Sequence, residues 1–359
     1  VSTITTTEAA LLSKPVNVMF TRRFLEVARY QTHYFAGSDP ATISRHGGTA
    51  TALWLRHEHL TPTTTALTEL TGTVSYPTRN ASTPTRTPVT KAVSKYGDHI
   101  LLNEEADTFN FNGQTAELLD RLAEQAGRSL NWVQRNEMED NATLVRAGGA
   151  ASDGAIASAL LVANLDSVVN TLDRNVARTF AAMTTGSENT ATVPIMQAFW
   201  GICHPDVAYD VSKLTGFKSI ETYAGQVQVM PGEIGFYGNA GKGVRFLSTA
   251  DASIDLGSGA AGAASNGLRG TSDNADLYTT VIYGRNAVGS LGLDNALPTE
   301  ILNANSGFSP IQIINHGFGS GGPVDPLNEL STLGWKAWSA AQILNGTWIR
   351  GIRSGATVL

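Results

Sequence analysis

Four short runs bring together residue types that do chemistry, and each of them reads more simply as structure. His57-Glu58-His59 sets two imidazoles two residues apart. On a strand they share a face and could hold a metal ion, but no third ligand stands nearby and the run is not H-E-x-x-H, so it reads as a polar strand face. Cys203-His204 offers a thiol beside a base. Neighbours on a strand point to opposite faces and catalytic pairs are normally distant in sequence, so Cys203 reads as a buried strand residue. Gly238-Asn239-Ala240-Gly241-Lys242 has the look of a phosphate loop, but Gly243 follows where Ser or Thr is required, which leaves a turn. Glu104-Glu105 and Glu137, Glu139 and Asp140 are acidic groups at expected element ends, where carboxylates are solvated. No G-x-S-x-G run occurs. The sequence therefore nominates no catalytic, cofactor-binding or metal-binding residue.

The composition is equally restrained. The 359 residues are 42% apolar and only 16% charged, with a net charge of −6. That length buries a sizeable core in one large or two medium domains. The charge content is low for the surface of a free monomer, and Thr, Ala, Asn and Gly fill the gap, as expected where neutral polar surface is buried between subunits. An acidic chain is not a nucleic-acid binder as a whole. Residues 1–57 are an exception, with Lys14, Arg22, Arg23, Arg29, Arg45 and Arg56 against Glu8, Glu26 and Asp39. A solvated basic arm explains that balance as well as contact with DNA does. One cysteine, Cys203, precludes an intrachain disulfide, and no apolar run approaches the ~18 residues of a membrane span. The start, VSTITTTEAA, lacks a signal-peptide pattern and reads as a cytosolic product without its initiator Met.

The element that must position the rest is the helix expected over Thr115–Arg135. Leu119, Leu122, Ala123, Ala126, Leu130 and Val133 form one apolar stripe, Thr115 caps the first turn, and Glu117 sits at the positive end of the dipole. Before it, Asn17–Tyr34 is expected to be helical, Ala36–Thr51 to be loop and Ala52–Leu60 to be a short strand. Residues 61–100 read as a protruding two-stranded loop. In it Thr73–Tyr76 runs out, the polar stretch Thr78–Pro88 turns and cannot sit inside a sheet, and Val89–Leu101 runs back. Such a coreless segment is functional or is ordered by a partner.

After the helix, Asn136–Val145 is expected to turn back and Ala147–Ala150 to form a flexible joint. Ala159–Phe180 is a second amphipathic helix. Phe199–Cys203 is a buried strand, and Val207–Thr215 is a helix with Pro205 at its start. Val227–Phe236 and Val244–Leu247 pair as strands. Asp251–Asp276, rich in Gly, Ala and Ser, is an insertion or surface loop. Leu277–Tyr283 and Ile311–Asn315 are strands. Gly334–Ser354 carries a hairpin signal at Asn345-Gly346, with a helix over Leu333–Leu344 as the competing reading. An extended arm, a coreless loop, a long helix and a compact α+β body follow.

Four stretches also carry a family resemblance. They are Leu60-Thr61-Pro62 with the threonine-rich run after it, and Ser94-Lys95-Tyr96-Gly97-Asp98. The third is His204-Pro205-Asp206-Val207, with Pro231-Gly232-Glu233-Ile234-Gly235 and Val244-Arg245-Phe246 beyond it. The fourth is Asp325-Pro326-Leu327-Asn328 with Gly334-Trp335-Lys336-Ala337-Trp338 and Ile343-Leu344-Asn345. In order and spacing the chain resembles the major capsid proteins of tailed phages, in the group typified by that of coliphage N-four. The resemblance implies the α+β Hong Kong 97-like capsid fold. Residues 1–60 would be the N-terminal arm, 61–112 the extended loop, 113–154 the peripheral domain with its spine helix, 155–305 the axial domain, and 306–359 a return to the peripheral domain. Gly238–Gly243 and Asp251–Asp276 look longer than is usual in the family.

The function this implies is an icosahedral head shell around double-stranded DNA, without enzymatic activity, assembled in the host cytoplasm from pentamers and hexamers. Scaffolding, portal and decoration proteins are its expected company, and no membrane is involved. Tyr76, Arg79, Arg86, Val89, Lys91 and Tyr96 are the candidate inter-subunit residues, and Arg22, Arg23 and Arg29 the candidate DNA-facing ones. An encapsulin-like bacterial compartment shares the fold and is the first alternative. An unrelated α+β enzyme or surface-binding module is the second.

Overall fold

The computed structural model describes residues 32–44, 49–64, 83–108, 115–180, 197–222, 232–239, 242–294, 311–318, 327 and 329–359. The strands, in chain order, are β1 Asp39–Ser44, β2 Thr51–His57, β3 Arg86–Ala92, β4 Ser94–Asn103, β5 Thr143–Arg146, β6 Gln197–Cys203, β7 Phe217–Ser219, β8 Glu233–Asn239, β9 Lys242–Ser248, β10 Ile254–Asp255, β11 Gly270–Thr271, β12 Asn274–Ala275, β13 Leu277–Tyr283, β14 Val288–Asp294, β15 Gln312–His316, β16 Leu330–Ile343 and β17 Ile349–Ser354. The helices are α1 Glu104–Thr108, α2 Thr115–Asn141, α3 Val162–Arg174 and α4 Pro205–Lys213.

Helix α2 spans two cores. At 1.5 Å per residue its 27 residues make a rod of about 40 Å. Leu119, Leu122, Ala123, Ala126 and Leu130 are buried against Leu333, Trp335 and Ala337 of β16, with Tyr96 and Ile100 of β4 alongside. The stripe then changes character, because Asn131, Gln134, Met138 and Glu139 are the buried residues of the last turns. Met138 joins Tyr34, Ile202, Leu247, Val281, Tyr283 and Ile349 in a second cluster. One helix therefore lies on the β1-β14-β16-β15 sheet, to which β4 also pairs, and on the β5-β17-β13-β6-β9-β8-β7 sheet. The other face of the larger sheet is covered by α3 and α4, through Leu165, Val168 and Leu172 and through Val207 and Val211. With both faces covered, every residue of β13 is buried, and the strand is apolar enough to allow it.

An acidic hub joins α2 to the body. Asp251 accepts from Arg128 Nε at 2.9 Å, Asn131 Nδ2 at 3.2 Å and Trp132 Nε1 at 3.2 Å, and its backbone carbonyl takes Arg135 Nη1 at 2.7 Å. One turn on, Glu139 accepts from the Tyr34 hydroxyl at 2.9 Å. Burial raises the Glu139 carboxyl above the usual carboxylate range, against hydrogen bonds from Ser253 and Tyr34.

Several expectations are corrected. Helix α2 runs to Asn141 rather than ending at Arg135, because Met138 and Glu139 still find buried partners. Ala36–Thr51 is not all loop: Asp39–Ser44 pairs in parallel with Gly289–Asp294, a partner some 250 residues away. The end of the expected Asn17–Tyr34 helix is met by a 3₁₀ turn, His33–Phe35, preceded by the non-helical Thr32, and residues 17–31 lie outside the described residues. The second helix is shorter than Ala159–Phe180, ending at Arg174. Asp251–Asp276 holds β10, β11 and β12 and a small core of Ala263, Leu268 and Ala275, and Arg269 N donates to Ala356 O at 2.8 Å. Gly334–Ser354 is neither hairpin nor helix. β16 and β17 belong to different sheets, and Asn345 Oδ1 accepts from Thr347 N at 3.1 Å, capping the turn between them.

The end of α3 shows a local conflict. Ala177 N donates to Leu172 O at 3.0 Å and Val176 N to Asp173 O at 2.9 Å, the two bonds of a Schellman motif. Its left-handed position is Val176, at φ 55°, where glycine is usual. A β-branched residue costs roughly 1–2 kcal/mol there, and Val176 buries little in return at 61% exposure. Val176→Gly is expected to stabilise the subunit by about 1 kcal/mol, read from urea unfolding. A loss of stability would mean that the valine makes up its strain elsewhere.

Candidate assembly surfaces

β3, within the expected loop, pairs with β2, which falls on the strand expected over Ala52–Leu60, to form a two-stranded ribbon, while Thr73–Tyr76 lies outside the described residues. β2 and β3 pair antiparallel from Thr51↔Ala92 to His57↔Arg86. Pro88 sits within β3 opposite Leu55, contrary to the expectation that the stretch ending there stays out of a sheet. A ribbon of two strands consists of edges, where a missing N–H is tolerated.

The ribbon has two faces by the period-two rule. Ala52, Trp54 and Arg56, with Thr87, Val89 and Lys91 opposite them, face this chain's own body. Ala52 and Trp54 pack on Ile43, Leu291 and Ala340. A Cβ on Gly289 would stand 3.1 Å from the Trp54 ring, so glycine there lets the indole pack closely on β14. Arg56 Nη1 donates to Leu344 O at 3.2 Å, and Lys91 Nζ reaches Glu137 Oε2 of α2 at 3.1 Å. The other face presents Leu53, 58% exposed, and Leu55, 51% exposed, with Pro88 and Thr90 directly across from them. A strand that is apolar on both faces needs a cover on both, and among the described residues the chain covers one.

Of the candidate inter-subunit residues, Arg86 lies on the outward face and Val89 and Lys91 on the inward one. Tyr96, on β4, packs against the core under α2. Tyr76 and Arg79 lie outside the described residues, as do Arg22, Arg23 and Arg29. Leu53 and Leu55 stand outside that set, and their signal in the sequence is the unbroken apolar run Leu53-Trp54-Leu55, which places apolar side chains on both faces of a strand. On α2, Trp132 is 42% exposed, with the guanidinium groups of Arg128 and Arg135 at 5.5 and 4.7 Å from its ring.

The runs that resembled chemistry each have a structural occupation. The Cys203 thiol is buried, Sγ lies 3.6 Å from Leu247 O, and burial pushes its pKa up to about 12, so it is not a thiolate near neutrality. His204 caps α4, its Nδ1 accepting from Asp206 N at 3.2 Å, and burial lowers its pKa. Glu58 accepts from Arg56 Nε at 2.8 Å and from the Thr87 hydroxyl at 2.9 Å, which with Arg56 foremost lower its pKa. Gly238 pairs with Gly243 and Asn239 with Lys242, so the described residues of the run are the paired ends of the antiparallel strands β8 and β9. Glu137 and Glu139 serve Lys91 and Tyr34 respectively. Among the described residues no three His, Cys, Asp or Glu side chains converge as a metal site.

The chain, a long helix laid across two sheets with a ribbon packed on one of them, has the fold of solved tailed-phage capsids, the Hong Kong 97-like fold. The chain is similar to the capsid of Ralstonia phage GP4, with a TM-score of 0.58 at 10% identity, over 91% of this chain and 89% of that one. The capsid structure of cyanophage P-SCSP1u gives 0.53 at 10% identity over 91% and 89%. The head structure of Helicobacter pylori bacteriophage KHP40 gives 0.53 at 10% identity over 90% and 88%. No protein-family model and no curated protein matches the sequence.

Proposed function

We propose that this chain is a major capsid protein, which self-associates as pentamers and hexamers into the icosahedral head shell of a tailed phage around double-stranded DNA. The observation that carries this reading is a capsid fold shared over about nine-tenths of this chain and of the phage capsid chain it matches. The low charge and the outward leucines of the ribbon support it, because both suit a surface that is covered on assembly. The work is done by packing, and obligate interfaces of this kind commonly exceed ~2,000 Å². The finer assignment, to the group of coliphage N-four, rests on the four sequence stretches. The division into arm, loop, peripheral and axial parts belongs to the same reading, as do DNA contacts through Arg22, Arg23 and Arg29 and service by scaffolding, portal and decoration proteins.

Electron microscopy with mass photometry of the expressed chain tests it. Closed shells, or rings of five and six subunits, are the expected result. Particles filled with protein cargo in place of nucleic acid in their native host would transfer the reading to an encapsulin-like compartment, and a monomer under every salt and concentration would count against a shell. The ribbon provides a sharper variant. Leu53→Asp with Leu55→Asp is expected to abolish assembly and to leave the subunit's circular dichroism and unfolding midpoint unchanged, since both side chains are already half-solvated. Normal shells from that variant would remove the ribbon's outward face from the interface.

A further inference from the structure

A basic cleft of about 460 Å³ opens where the end of α3, the start of β9 and the β13–β14 turn meet. Arg178, Thr179, Gln197, Lys242, Arg285 and Asn286 line it. Three cations from three separate elements thus share one concavity in a chain whose net charge is −6. Lys242 is paired with Asp173. Arg178 and Arg285 have no carboxylate partner among the described residues, so the cleft carries two guanidinium groups that no carboxylate neutralises.

The placement is built in by the backbone. Arg285 N donates to Arg178 O at 2.8 Å, and Gly284 N to Trp348 O at 2.9 Å. A Cβ on Gly284 would stand 2.8 Å from Arg178 O, so the two arginine-bearing segments meet only because that residue is glycine. Asn286 takes a left-handed conformation at φ 61°. Trp348 Nε1 donates to Asn175 O at 3.0 Å and pins the loop that carries Arg178. Like charges gathered in one cleft repel one another, and a bound anion offsets that cost. Planar guanidinium groups match the oxygens of phosphate in pairs, and the amides of Gln197 and Asn286 add neutral donors, the former steadied by the Thr179 hydroxyl, which donates to Gln197 Oε1 at 3.5 Å.

We propose that this cleft is a binding site for phosphate groups, carried either by a polynucleotide backbone or by a free polyphosphate. It does not depend on the shell reading, because binding is a property of the single chain. The test uses the full chain and two probes, inorganic pyrophosphate followed by calorimetry and a short fluorescent DNA duplex followed by anisotropy. Arg178→Gln with Arg285→Gln replaces two exposed side chains, and unchanged unfolding would verify that the fold is intact. Arg121→Gln, on the exposed face of α2, controls for net charge.

The double variant is expected to weaken binding about tenfold for each guanidinium removed, with Arg121→Gln near wild type. For the duplex, the slope of log affinity against log salt should fall by about 1.8, the share of two phosphate contacts. Loss on the duplex alone assigns the site to a polynucleotide backbone, and loss on pyrophosphate alone assigns it to free polyphosphate. Equal affinity and equal salt slope for variant and wild type with both probes, or no binding of either probe by wild type, overturns the site. Normal shells from the double variant would leave the proposed function standing, so the two readings fail separately.

Discussion

Arg245→Leu is expected to destabilise the subunit by about 3–5 kcal/mol, the largest effect of any single substitution outside the apolar cores. Arg245 Nε donates to Glu233 Oε1 at 2.6 Å, and both residues are buried in the larger sheet. They are not directly opposed. Arg245 pairs in register with Phe236, and the β8 register shifts between Glu233 and Gly235, which lets Glu233 reach diagonally across. Removing the arginine leaves a carboxylate in a low-dielectric site without its guanidinium partner. The companion variant Glu233→Leu with Arg245→Leu should recover most of the loss, because two apolar side chains of fitting volume replace a pair whose desolvation already offset much of its attraction. Urea unfolding of dissociated subunits, followed by tryptophan fluorescence, measures both. A single-variant loss below about 1 kcal/mol would mean that water reaches the pair, and the burial of Glu233 would have to be revised.

The second large effect belongs to α2. Leu130→Ala is expected to cost about 2–5 kcal/mol. Leu130 is fully buried in the cluster that α2 shares with β16 and lies one residue before Asn131, where the stripe turns towards the other sheet. A cavity there removes transfer energy and also contacts that neighbouring side chains cannot restore, since the helix is held on its far side by the Asp251 bonds. Arg121→Ala, on the exposed face, should stay within about 0.5 kcal/mol. Equal costs at the two positions would mean that the helix is held by the hub rather than by its stripe.

These two sites differ in how far they could be seen beforehand. The stripe from Leu119 to Leu130, the buried Cys203 strand, the Pro205 helix start and the strand Leu277–Tyr283 were legible in the sequence. Each rests on a period or a cap contained within one segment, and the local pattern states which face must leave water. The Glu233–Arg245 pair was not legible, because a bulge sets it and no residue type announces a bulge. The inward face of the ribbon was half legible. Val89 and Lys91 were singled out for a neighbour, yet they face Trp54 and Glu137 of the same chain, and the outward residues are Leu53 and Leu55.

What needed three dimensions was the pairing between distant segments. Asp39–Ser44 has no strand pattern of its own and becomes one beside Gly289–Asp294. Leu330–Ile343 carries residues that suit a helix, and it is held as a strand by β4, β14 and β15 together. Ile349–Ser354 crosses to the other sheet, although Asn345-Gly346 invites a hairpin. Arg178 and Arg285, more than a hundred residues apart, share a cleft only because Gly284 allows their backbones to touch. Burial of a face is written into the chain by its local period, whereas the choice of partner is made by backbone hydrogen bonds and shape that every segment offers alike, and only the packed whole selects among them.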